Sequence, residues 1–177
     1  IARLCAMRVL DEDGDPADTI DIRRPCRIEM EYAVLESGYI VHPNIYLYNE
    51  EGVCMFGTQD LDPLWRGRPR SAGRYTSTVW IPGNVLAEGM VFVDANMNTL
   101  EPFIFQFQSR SAVAFLVTDS LEGDSARGDW RGHMPGAVRP MLKWTTRYSP
   151  GEGENATAQG IRPHEYGDSV ATGKPAI

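Results

Sequence analysis

Residues 39–49 alternate, with Val41, Ile45 and Leu47 on one side and His42, Asn44, Tyr46 and Tyr48 on the other. A period of two is the mark of a strand buried on one face. Asn49-Glu50-Glu51-Gly52 supplies turn chemistry and VCMFG returns, so residues 39–57 predict a β-hairpin. Residues 26–34 alternate as cleanly, with Cys26, Ile28, Met30, Tyr32 and Val34 inward and Arg27, Glu29, Glu31 and Ala33 outward. That pattern predicts an edge or surface strand.

The rest of the chain repeats the theme in shorter pieces. Residues 2–10 alternate imperfectly, Leu4, Ala6, Arg8 and Leu10 opposing Arg3, Cys5, Met7 and Val9, and 19–22 read as a short strand. In 73–82 the residues Tyr75, Ser77, Val79 and Ile81 share a face, and 84–88 predict one helical turn. In 90–98, Val91, Val93 and Ala95 oppose Phe92, Asp94 and Asn96, and a bend follows at 99–102. Phe103, Phe105 and Phe107 then oppose Gln106 and Gln108, and Val113, Phe115 and Val117 point inward in a further strand. A last strand is predicted over 141–148, with Leu142 and Trp144 opposed to Lys143. Two stretches, 57–73 and 120–139, are aperiodic and rich in Gly and Pro. Many short strands and no long helix predict an all-β fold, an antiparallel β-sandwich of jelly-roll or immunoglobulin-like kind.

Composition narrows the partners. With 177 residues, 42% hydrophobic and 23% charged, the chain is expected to form one β-sandwich domain over 1–148. The polar residues 149–177 are expected to be a flexible tail. A net charge of −7 argues against nucleic acid or an anionic membrane surface as the main partner. No apolar run approaches the roughly 18 residues of a membrane span. Cys5, Cys26 and Cys54 are odd in number and each sits in an apolar strand pattern, which predicts packed, reduced thiols and a reducing compartment. Three scattered His without paired Cys spacing predict no metal. Neither GxxxxGK nor G-x-S-x-G occurs, and most carboxylates fall in turns. Accordingly no catalytic residue and no cofactor is assigned.

The outward positions hold the candidate chemistry. Asn44, Tyr46, Tyr48, Asp94, Asn96, Gln106 and Gln108 all point away from the core on these parities. Amides and carboxylates bond vicinal hydroxyls, and phenol rings stack on the apolar face of a pyranose. The face therefore points to a carbohydrate, bound without being cleaved. Trp65, beside Arg66 with Arg68 and Arg70 close by, and Trp80 are further candidates for that ligand. Trp65 has a second reading as a plug at one end of the sandwich. The face as a whole has another too, as a protein-interaction surface that holds an oligomer together.

The segments RVLDEDG, RRPCRIEMEYAV, HPNIYLYNEEGVCMFGTQD, GRYTSTVWIPGNVLAEG and, most specifically, GDWRGHMPGAVRPMLKW resemble the C-terminal domain of Wzt-type proteins. These are the ATP-binding subunits of bacterial ABC exporters for O-antigen polysaccharide, a part of lipopolysaccharide. The resemblance implies a non-catalytic, carbohydrate-binding β-sandwich that takes the finished glycan, often by its modified non-reducing end. It implies an upstream ATPase domain, so that the start at Ile1 would be an internal cut. It also implies a membrane subunit as partner and a place on the cytoplasmic side of the inner membrane. A homodimer formed by exchange of a C-terminal strand, here 141–148, completes the expectation.

Overall fold

The alternating segments form eight strands in a computed structural model that describes residues 1–149. They are β1 (Ala2–Leu10), β2 (Thr19–Asp21), β3 (Cys26–Val34), β4 (His42–Asn49), β5 (Cys54–Gln59), β6 (Gly73–Ile81), β7 (Gly89–Leu100) and β8 (Phe103–Thr118). Two sheets result, one of three strands in the order β1-β3-β6 and one of five in the order β2-β8-β7-β4-β5. The architecture is a β-sandwich, antiparallel throughout except for the short edge strand β2, which runs parallel to β8. Ile28, Met30 and Tyr32 from one sheet and Ile45, Leu47, Val91, Val93, Met97, Phe115 and Val117 from the other fill one shared core. The compact unit they hold together runs Ile1–Lys143. The polar tail expected over 149–177 lies outside the described residues except for Ser149.

Where the alternation was clean, the parity holds. In β3 and β4 every residue expected inward is buried. The hairpin between β4 and β5 also forms. Asn49 Oδ1 accepts the backbone N–H groups of Glu51 and Val53, and Gly52 takes a φ of 76°, a region costly to a side chain. One expectation about β3 changes: it is the middle strand of its sheet, hydrogen-bonded on both edges, because β6 docks beside it in unbroken register.

Bulges explain the places where alternation misled. A register shift between Leu4 and Ala6 reverses the parity of β1, so Ala2 and Leu4 and then Met7 and Val9 face the core. A shift at Gln106 does the same in β8. Met97 pairs with Phe107 but Asn98 pairs with Phe105, so Phe107 turns to the core while Phe103 and Phe105 turn outward. The two segments 103–108 and 112–118 are then one strand of 16 residues, its second shift lying opposite Asp94.

Two expected elements are absent, for the same physical reason. Residues 84–88 form no helical turn, because their backbone is committed to other segments. Asn84 N–H donates to Ile22 O, and the carbonyls of Asn84 and Val85 accept from Met141 and Arg139. Residues 141–148 form no strand in this chain: after Met141, no backbone bond among the described residues continues a ladder. Of the three cysteines, all free, only Cys26 is packed; Cys5 and Cys54 are exposed. Burial pushes the Cys26 thiol up to about 11. Among the described residues no helix is long and apolar enough to cross a membrane.

Candidate functional site

Register decides which outward side chains are neighbours. Asn44 on β4 stands opposite Gln59 on β5 and Asn96 on β7, and Asn96 stands opposite Gln108 on β8. Directly opposed residues of antiparallel strands share a face, so four amides form one row across four strands. On one side of this row lie Tyr46, opposite Gly57 and Asp94, and then Tyr48, opposite Phe92. On the other side lie His42 and Asn98, with Phe105 beyond them.

The amides are held but not exhausted. Asn44 Nδ2 donates to Asn98 Oδ1 at 2.9 Å and to His42 O at 3.0 Å, which leaves its carbonyl oxygen as the acceptor of that amide. Asn96, in the middle of the row, is only 6% exposed.

Tyr46 is placed by an absence. A side chain carbon at position 57 would stand 2.6 Å from two atoms of the Tyr46 ring. The ring therefore lies over the bare backbone of β5 and offers a broad apolar surface to solvent, 42% exposed. Next to it, Asp94 Oδ1 accepts the backbone N–H of Ser111 at 2.7 Å. Ser111 sits in the bulge of β8 with φ 45°. One carboxylate oxygen is thus fixed and the other is available to hydroxyl donors. Desolvation, with help from Cys54, Asp94 and Tyr46 nearby, pushes the Tyr48 phenol up, so it stays a neutral donor. Tyr48, Phe92, Asp94, Arg110 and Ser111 line a hollow of ≈ 460 Å³ on this face.

The opposite face of the molecule is ordinary. On the three-stranded sheet, Glu31 pairs with Arg8 at 3.0 Å and with Arg74 at 2.6 Å across three strands. By contrast, no outward side chain of β4, β5, β7 or β8 enters an ion pair among the described residues.

Of the residues singled out in the sequence, Asn44, Tyr46, Tyr48, Asp94, Asn96 and Gln108 lie together on this face, and Gln106 sits in the bulge beside it. Trp80 and Trp65 do not. Trp80 is on the outer face of β6, with the Arg27 guanidinium 4.2 Å from its ring centre, and walls a cleft of ≈ 280 Å³ between β5 and β6 that Asn44 and Gln59 line from the other side. Trp65 packs edge-on against Tyr75 at 5.3 Å. Arg70 lies among the rings of Tyr32, Trp65 and Tyr75 and pairs with Asp60 at 3.1 Å, which pins that loop. The sequence reading missed Gln59, Asn98, Phe103, Phe105 and Arg110. Gln59 fell in what read as loop, and the bulge concealed the parity of the two Phe.

No family model matches this chain, and no curated protein matches it. Among solved structures, the C-terminal domain of Wzt has the same fold at a TM-score of 0.64, with 15% identity over 83% of this chain and 84% of that one. A CARDB domain from Pyrococcus furiosus, solved with di-metal ions, aligns at a TM-score of 0.41 and 10% identity, over 66% of this chain and 89% of that one.

Proposed function

We propose that this domain is a non-catalytic carbohydrate-binding module that holds an O-antigen polysaccharide, by its non-reducing end, for export by an ABC transporter. The observation that carries this reading is the row of uncharged amides beside the exposed Tyr46 ring and the half-buried Tyr48. Such a face bonds hydroxyl pairs and stacks pyranose rings, and it has nothing for which a phosphate backbone would compete. The shared fold with the C-terminal domain of Wzt supports the exporter context, and with it a place at the cytoplasmic side of the inner membrane beside an ATPase domain and a membrane subunit.

The test is a calorimetric titration of the protein with the O-polysaccharide of its source organism, against an unrelated O-polysaccharide. Saturable binding of the first alone is expected. Tyr46→Ala should weaken it by about tenfold or more, equivalent to ~1.4 kcal/mol. Asn96→Ala should cost roughly 0.5–1.5 kcal/mol, the net worth of one hydrogen bond. Absence of binding by the unaltered protein would overturn the reading.

A second reading is a dimerisation module. It is favoured by Met141, Leu142, Trp144 and Tyr148, all exposed. In the exporter reading the same segment is the strand exchanged between two copies, so the two readings part only over the amide face.

A further inference from the structure

Resting on the glycan-binding reading, we infer that the bound polysaccharide is neutral and lies across the strands, several consecutive sugars being held along the row Gln59–Asn44–Asn96–Gln108. The row is continuous in register through β5, β4, β7 and β8. Gln59 and Gln108 at its two ends are exposed, while Asn44 is half-buried and Asn96 buried between them.

Spacing favours the same direction. Neighbouring strands lie roughly 4.8 Å apart, so the row presents one amide per step over roughly 14 Å. That step is comparable to the advance of one pyranose along an extended chain, so successive sugars would meet the same kind of group. Along a strand the sequence of groups is different. Down β4 a chain would meet imidazole, amide and two phenols in turn, roughly 6.6 Å apart, and no group repeats at the interval of a sugar.

Charge sets the class of polymer. The row contains no ionised side chain. In the next row Asp94 is the only charge, and no cation pairs with it among the described residues. Arg110, on the rim beyond Asp94, is the only arginine lining the hollow there, and Glu50 lines it too. In a chain of net charge −7, a uronate or phosphate repeating on every unit would meet Asp94 and Glu50 with Arg110 as the one cation lining that hollow. Hydroxyls meet amide carbonyls and N–H groups, both of which they satisfy.

The experiment uses the full chain and fragments of graded length, from one repeat sugar to about six, released from the O-polysaccharide of the source organism. Affinity should rise over the first three or four units and then level off. Gln59→Ala and Gln108→Ala, both at exposed positions, should each lower affinity several-fold for the long fragments and leave the shortest unaffected. Oxidising the primary hydroxyls of the polymer to carboxylates should weaken binding, and more so at low salt. Maximal affinity for a single sugar would overturn the inference while leaving the glycan-binding reading intact. The same holds if loss is confined to Tyr48→Ala and His42→Ala, which marks a chain running along β4, or if the carboxylated polymer binds better. Failure of every fragment and of the whole polymer to bind the unaltered protein would overturn both.

Discussion

Gly57 and Tyr46 show how much of a site can rest on a missing side chain. Gly57 has an ordinary extended backbone, so conformation does not require glycine there. Space does, because a Cβ would collide with the Tyr46 ring at 2.6 Å. We therefore expect Gly57→Val to lift the ring and reduce glycan affinity about as much as Tyr46→Ala, while the double variant loses little more than either alone. Calorimetric titration of all four proteins closes the cycle. If Gly57→Val in the Tyr46→Ala background still lowers affinity, the two residues do not act together. A second expectation at this scale concerns acid. The side-chain hydrogen bond from Arg23 holds the Asp21 carboxyl down at about 2, from an ordinary value of 3.8. A depressed carboxylate stabilises the fold above its unfolded value and loses that contribution as pH falls through its folded one. Stability should therefore fall between about pH 4 and about pH 2, and Asp21→Asn should flatten that part of a urea-midpoint profile.

Among the elements, the loop between β5 and β6 is the one whose hold is most concentrated. Arg70 is 2% exposed, its backbone is bonded on both sides to Tyr39 and Gly38, and its guanidinium pairs with Asp60. Asp60 in turn accepts from Ser77 at 2.8 Å. Arg70→Met leaves that half-buried carboxylate without its cation, which should cost about 3 kcal/mol in urea unfolding. Adding Asp60→Asn should recover part of the loss, since neither charge is then stranded. Asp60 follows Gln59 directly and lines one cleft with it and with Asn44, so the glycan affinity of the folded fraction tells whether the loop shares in binding. A matching loss of affinity would place the loop in the site. The β-strands themselves were readable wherever one face meets the core and nothing interrupts the ladder, as in β3 and β4. They were misread at Cys5 and Gln106, since a bulge inserts one residue and inverts every assignment beyond it.

For the whole molecule, the open question of assembly turns on residues 141–148. Leu142, Trp144 and Tyr148 are 66%, 86% and 82% exposed, a concentration of apolar surface that an isolated chain in water does not favour. If the segment is exchanged between copies, light scattering behind a sizing column should give twice the 19.7 kDa of one chain. Leu142→Asp with Trp144→Asp should shift the protein to monomer and leave glycan affinity per chain unchanged. A monomeric unaltered protein at micromolar concentration would remove the exchange.

Local patterning was enough to specify that this chain makes strands, which faces of most of them are apolar, and that the outward residues carry amides and phenols where salt-bridging pairs are usual. These follow from side-chain alternation, a property of neighbours in sequence. Three further things were settled only by the packed structure. Which strands pair brought Asn44, Asn96 and Gln108 into one row and set Gln59 at its end, a relation between residues up to 64 positions apart in the chain that no local period encodes. The bulges turned Phe103 and Phe105 outward and put the Ser111 N–H on Asp94. Trp65 and Trp80, aromatic and exposed like the tyrosines, were carried to the other sheet and its loop. Residue type says what a side chain can bind; only the ladder of hydrogen bonds between distant strands decides beside whom it stands.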